Sequence, residues 1–155
     1  MKVEGKEYSV NKDKGWIKYE KGYFESMSED NHYKIKNNLK RNLIHILKYS
    51  KEYEILFQQY ETIEENDYGL LLLQSKEQNF ILYIDMDTYL PYKIRYSVFL
   101  KNKKEDFEKL YLDYRVVDNI KFPVHTKTYD EQGNLISENL IKDLKFNTEI
   151  SSDLF

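Results

Sequence analysis

The chain has no cysteine among its 155 residues. That excludes a disulfide scaffold, a thiolate metal site, a cysteine nucleophile and a lipid-modified cysteine within it. Proline and glycine are scarce, at two and five residues. No apolar run approaches the ~18 residues of a membrane span. There is no excess of cations: 24 Lys and Arg stand against 27 Asp and Glu, mixed along the chain, for a net charge of -3. A domain that grips nucleic acid through phosphates is basic, so nucleic acid is excluded as a partner. No H-E-x-x-H or H-x-x-E-H zinc pattern, G-x-S-x-G elbow, P-loop or dinucleotide fingerprint occurs. The opening "MKVEGKEYSV" lacks the apolar core of a signal peptide. It starts almost inside a strand pattern, as expected of a mature fragment or an excised domain.

What the chain has in abundance is aromatic side chains, 15% of the total, with 15 Tyr and 8 Phe. Aromatic-rich, glycine-poor composition favours strands. The turn signals "NKDKG", "ENDYG", "SKEQN", "DMDTYLP", "KNKKED", "DN" and "DEQGN" recur at short intervals between runs of Tyr, Ile, Val, Leu and Phe. That rhythm predicts an antiparallel meander, with strands near 6–10, 15–20, 22–25, 58–64, 68–75, 79–86, 92–101, 107–117, 120–129 and 134–146. The length suits a single domain, 1–155, able to bury roughly 68–70% of its unfolded surface without staples. One segment breaks the rhythm. Residues 28–48 place Ile35, Leu39, Leu43, Ile46 and Leu47 at helical spacing. Ser26 with Glu29 fits a capping box, or Ser28 caps alone. "KEYEILFQQ", which follows, fits a short helix or the start of a strand.

Two strand patterns are visible. In 92–100, Tyr92, Ile94, Tyr96, Val98 and Leu100 alternate with Lys93, Arg95 and Ser97. In 110–116, Leu110, Leu112, Tyr114 and Val116 alternate with Tyr111, Asp113 and Arg115. Such strands have one wet face. By contrast "LLLL" (70–73) and "FILYI" (80–84) are apolar on both faces and need cover on both. Asp118-Asn119 supplies the positive φ of a two-residue hairpin. Pro123 has no N–H to give a ladder, so it belongs at an edge, a bulge or a bend.

Three stretches together resemble the LolA-like outer-membrane lipoprotein-sorting family. "LYIDMDTYLPYKIRYSV" is similar to its "y-x-D-x-x-T-x-L-P-x-k-i-x-y" hairpin, "DYRVVDNIKFP" to its "DYR-x-VDG-x-KFP" hairpin, and "LKFNTEISSDLF" to its closing segment. Upstream, "NKDKGWIKYEKGYFESMSED" resembles the strand pair that leads into the family's inserted helix. The resemblance covers most of 8–155. It implies a mainly β (α+β) fold: a strongly curved antiparallel meander, an unclosed half-barrel, with an inserted amphipathic helix on the concave face. In the sorting proteins that face receives lipoprotein acyl chains in the periplasm. Related domains occur as free-standing or appended modules of envelope proteins, some beside insulinase-type zinc peptidase domains. Asn119 stands where the family has Gly, and Asn tolerates the same backbone region. The family's first helix and strands, with the arginine that ties its lid shut, would precede residue 1; Arg41, Arg95 and Arg115 do not match that arginine.

The resemblance implies a non-enzymatic role with no cofactor and no metal, in the periplasm or cell envelope. Leu82, Ile84, Ile94, Tyr96, Val98, Leu112, Tyr114, Phe122 and Val124 would line a site for a lipid or lipoprotein acyl chain. Leu39, Leu43, Ile46 and Leu47 of the helix would compete for it as a lid. The same residues also describe a filled core, the ordinary role of an apolar strand face, in a structural or protein-interaction module. A partner or a missing N-terminal segment would then cover the apolar surface. Outward tyrosines such as Tyr83 and Tyr111 would suit docking. Asp85, Asp87 and Thr88 fix a turn more readily than they build a calcium loop, which needs more oxygen ligands. His32, His45 and His125 are scattered, and Trp16 reads as a plug in the core or at a sheet edge.

Overall fold

The structure is a computed structural model that describes residues 2–3, 6–10, 13–19, 22–76, 78–100, 103–142 and 144. The chain forms two compact units, Met1–Glu52 and Tyr53–Phe155.

The first unit opens with a four-stranded antiparallel sheet in sequential order: β1 (Lys2–Val3), β2 (Lys6–Val10), β3 (Gly15–Tyr19) and β4 (Phe24–Ser26). Trp16 lies opposite Ser9 on one side and Ser26 on the other. Gly22, at φ +82, supplies the left-handed turn that brings Tyr23 back to stack on Tyr19 at 4.5 Å. Space at Gly15 is tight: a Cβ there would sit 3.0 Å from Met27 Sδ, so Met27 and His32 would have to shift.

The expected single helix is two. α1 runs Glu29–Lys40 and α2 runs Leu43–Lys48. Ser28, alone rather than in a box with Ser26, caps α1 by accepting from the Asn31 N–H. Glu29 and Asp30 then lie at the positive end of the helix dipole. The break falls at Arg41-Asn42 because Asn42 leaves the helical region and its side chain accepts from Ile44 N at 2.9 Å, restarting the chain as an N-cap. The break splits the predicted apolar stripe. Leu43 and Ile46 are buried, while Leu39 and Leu47 are exposed.

In the second unit seven strands form one antiparallel meander in strict sequence order: β5 (Glu54–Ile63), β6 (Asn66–Gln74), β7 (Asn79–Asp85), β8 (Pro91–Leu100), β9 (Lys103–Val117), β10 (Ile120–Asp130) and β11 (Leu135–Leu140). β5 and β11 end the sheet and do not pair, so it is unclosed. "KEYEILFQQ" resolves into a 3-10 turn, Ser50–Glu52, followed by β5 from Glu54. The expected strand to 146 stops at Leu140; the closing motif beyond Leu144 lies outside the described residues.

The hairpins follow local chemistry. Glu64-Glu65 and Asp118-Asn119 each hold two consecutive positive φ angles, as tight two-residue turns require. Asp130 accepts from the backbone N–H of Gln132 and of Asn134, and Gly133 takes φ +81 between them. Three strands carry one extra residue relative to their partner: Gln58 in β5, Tyr92 in β8 and Ile136 in β11. Such bulges bend a strand and raise its twist. Pro123 sits opposite Tyr114 of β9, beyond the stretch of β10 that pairs with β11. The β9–β10 ladder skips the next position, Asp113/Val124, where Asp113 has φ +48. The proline thus lies at a local edge, beside an interruption.

Candidate functional site

Register decides which side chains share a face of the seven-stranded sheet. One row across β5 to β11 reads Phe57, Leu71, Leu82, Ile94, Lys109, Thr128 and Ser137. The next row on the same side runs Leu73, Phe80, Tyr96, Phe107 and Asp130. Alternation adds Ile84, Val98, Tyr111, Phe122 and Val124. Seven of the nine predicted ligand residues therefore share this Ile94 face: Leu82, Ile84, Ile94, Tyr96, Val98, Phe122 and Val124. Ile94 is 0% exposed, and Leu82, Phe122 and Val124 are also buried. Ile84, Tyr96 and Val98 are half-buried.

Leu112 and Tyr114 are not on that face. Leu110 pairs with Lys93 and Leu112 with His125, so the apolar set of β9 lies on the opposite side. Tyr114 is half-buried there, donates its hydroxyl to the Pro91 carbonyl, and has its phenol pKa pushed up by desolvation. Sequence alternation within β9 was correct, but alternation does not say which side of one strand matches which side of the next. Tyr92 changes sides for a related reason. As the extra residue of β8 it stacks on Tyr68 at 4.5 Å, away from Ile94.

The opposite face is not an outward docking surface of tyrosines either. Tyr83 is 1% exposed and Tyr111 is buried on the Ile94 side. Tyr68, Leu70 and Tyr83 form a second apolar cluster, with Ile63, Ile81 and Tyr92 against it. Lys93 lies over the Tyr83 ring at 4.5 Å and pairs with Glu108 at 2.9 Å. Its ammonium thus makes a cation–π contact with the ring while Glu108 balances its charge. Arg95 donates to the Tyr83 hydroxyl at 3.2 Å, a bond that raises the Arg95 pKa further. Both faces of this sheet are consequently apolar at their centre, as the runs 70–73 and 80–84 imply. A hollow of ≈ 490 Å³ along β8, β9 and β10 is lined by Arg95, Asp106, Glu108, Leu110, Tyr129 and Asp130 among others. Its lining mixes these charged groups with the apolar Phe107, Leu110 and Tyr129.

Sequence reasoning missed Leu73, Phe80, Tyr111 and Thr128, all buried on the Ile94 side. Leu73 and Phe80 carried a signal, since they belong to the doubly apolar runs. Tyr111 and Thr128 carried none.

Asp85 fixes its hairpin. One carboxylate oxygen accepts from Asp87 N at 3.2 Å, Thr88 N at 2.7 Å and Thr88 Oγ1 at 2.7 Å. The Thr88 hydroxyl bond, with the backbone bonds, holds its pKa below the usual carboxyl value. Among the described residues no cluster of three His, Cys, Asp or Glu is placed to hold a metal. His125 bonds a carboxylate at each ring nitrogen, Asp113 at 3.0 Å and Glu138 at 2.7 Å, and Lys127 adds a contact to Glu138 at 3.4 Å. Both carboxylates raise the His125 pKa.

An unclosed antiparallel meander preceded by a short helical segment is the architecture of LolA-like proteins, and solved structures bear out the likeness. Over 96% of this chain and 68% of its own, a DUF1329 family protein from Desulfovibrio piger matches with a TM-score of 0.65 at 15% identity. A putative outer membrane lipoprotein-sorting protein domain from Vibrio parahaemolyticus matches 93% of this chain with a TM-score of 0.61 at 14% identity. A LolA superfamily protein from Nitrosomonas europaea matches 90% with a TM-score of 0.51 at 14% identity. The chain spans 64% of the Vibrio chain and 67% of the Nitrosomonas chain. No family model matches the chain, and no curated protein does. At identities this low the likeness shows the fold alone.

Proposed function

We propose that this chain binds an apolar ligand, a lipid or lipoprotein acyl chain, on the Ile94 face of its seven-stranded sheet, as a non-enzymatic component of the bacterial cell envelope. The observation that carries the reading is the apolar surface that β6, β7 and β8 place on one side of a LolA-like sheet, extended past Lys109 by Phe107 and Tyr111 of β9 and by Phe122 and Val124 of β10. Burying an acyl chain there yields about 0.8 kcal/mol per CH₂, or on the order of 10 kcal/mol for one long chain before ordering costs. Ile94, Leu82 and Val124 are already buried, so a ligand has to displace the atoms that now cover them.

That same burial favours a second reading: a structural or protein-interaction module whose apolar face is permanently filled. The test is native mass spectrometry of protein purified in the presence of envelope lipids, together with titration by an apolar fluorescent probe. Ligand binding predicts co-purified lipid and one saturable probe site, lost in Val98→Trp while the circular dichroism of the sheet is unchanged. A folded protein that carries no lipid and takes up no probe sinks the first reading in favour of the second.

A further inference from the structure

We propose that β5 is a docking edge for an extended peptide strand that is apolar at its centre and basic at both ends. β5 ends the sheet, with its only described neighbour on the β6 side, and it is ten residues long. Its outer backbone row therefore offers N–H and C=O groups to an added strand. Its side chains are apolar and open: Ile55 is 48% exposed, Phe57 54%, Tyr60 66% and Leu56 38%. The Phe57 and Tyr60 rings lie 4.9 Å apart, and each reaches the space above Gly69 of β6 that the Met86 thioether fills. They form a shallow aromatic step along the edge, beside the Gln58 bulge.

Proteins guard such an edge with charged side chains, proline, brevity or a bulge, and β5 has a bulge at Gln58 and acidic residues but neither lysine nor proline. Residues 53–66 contain no Lys, Arg, His or Pro, but they contain Glu54, Glu61, Glu64 and Glu65. Glu61 accepts from the Tyr83 hydroxyl at 3.5 Å. Glu54, Glu64 and Glu65 form no ion pair among the described residues, unlike Glu138 on the opposite edge strand, which meets His125 and Lys127.

Charge then selects the occupant. A second copy paired edge to edge would bring two such acidic strands together with no cation between them. An incoming strand with Lys or Arg at each end meets Glu54 at one end and Glu64-Glu65 at the other, about 33 Å away at ~3.3 Å per residue. Apolar side chains at alternate central positions then lie beside Ile55 and Phe57. Main-chain hydrogen bonds supply the affinity and the flanking charges set orientation and partner choice.

The test uses the full chain and a fluorescein-labelled peptide, Lys-Lys-Thr-Val-Thr-Val-Thr-Val-Thr-Lys-Lys, with a control in which every Lys is Glu. The expected result is saturable binding of the Lys peptide by anisotropy, weakened by salt, with hydrogen-exchange protection of the β5 amides. Glu54→Lys with Glu64→Lys should weaken it by about tenfold, as should Phe57→Thr. These side chains are exposed, so the variants leave the fold intact. No saturable binding, binding indifferent to the charge reversal, or protection that maps away from β5 overturns the proposal. So does concentration-dependent self-association that Phe57→Thr abolishes, which would make a second copy the occupant.

Discussion

Ile94→Ala is the sharpest probe of the sheet's interior. The side chain is 0% exposed and lies in the row between Leu82 and Lys109. Truncation removes three carbons, about 2.4 kcal/mol at ~0.8 kcal/mol each. A residual cavity adds to that, which puts the whole loss at about 3–4 kcal/mol. With a urea m-value of about 2 kcal/mol/M, the midpoint should fall by about 1.5–2 M. Far-UV circular dichroism follows the sheet. Trp16, the one tryptophan, lies in β3 of the first unit and gives a separate fluorescence signal. If the sheet transition moves and the Trp16 transition does not, the two units unfold independently; if both move together, they fold as one. A loss under about 1 kcal/mol would refute the packing argument, because a site that can be emptied so cheaply was not filled.

Three further perturbations follow from local geometry. Glu65→Gly, at φ +70, relieves a left-handed L-residue and should stabilise by about 0.5–1 kcal/mol net of the added chain entropy, read as a higher urea midpoint. Asp85→Ala removes a carboxylate that accepts three hydrogen bonds, and should destabilise by about 1 kcal/mol at pH 7 after allowance for solvent screening. Because the folded pKa of Asp85 is depressed, its contribution is present above the ordinary 3.8 and lost as pH falls through the folded value; the gap between wild type and variant, followed by urea titration, should close on acidification. His125 has the opposite sign. Its pKa is raised, so its hold on Asp113 and Glu138 is complete below the ordinary 6.5 and lost as pH rises through the folded value. Hydrogen exchange in β11, after correction for the intrinsic pH dependence, should quicken over that range, and His125→Gln should remove the change.

Most strand boundaries were legible because turns are written in single residues. Asp118-Asn119, Asp130 with Gly133, and Asp85 each close their own hairpin through side-chain acceptors or positive φ. The pattern of "LLLL" and "FILYI" correctly announced a sheet apolar on both faces. What a linear pattern does not hold is the pairing of one strand's sides with the next. Leu112 and Tyr114 looked like companions of Ile94 and are not, because Lys109, not Leu110, stands opposite Ile94. Tyr83 and Tyr111 looked outward for the same reason. The helix break was equally hidden: Asn42 reads as one polar residue among several, and only its bond to Ile44 N makes it a cap.

The three supernumerary residues, Gln58, Tyr92 and Ile136, act like frame-shifts in three dimensions. Deleting Gln58 would leave Phe57 opposite Leu71 and Gln59 opposite Leu70, a regular ladder without the bend. A one-residue loss elsewhere in these strands, with the bulge kept, instead turns every side chain on one flank to the other face. A matched loss and gain on either side of the kink would restore the original reading, so sequence change in this sheet should be tolerated in compensating pairs more readily than singly.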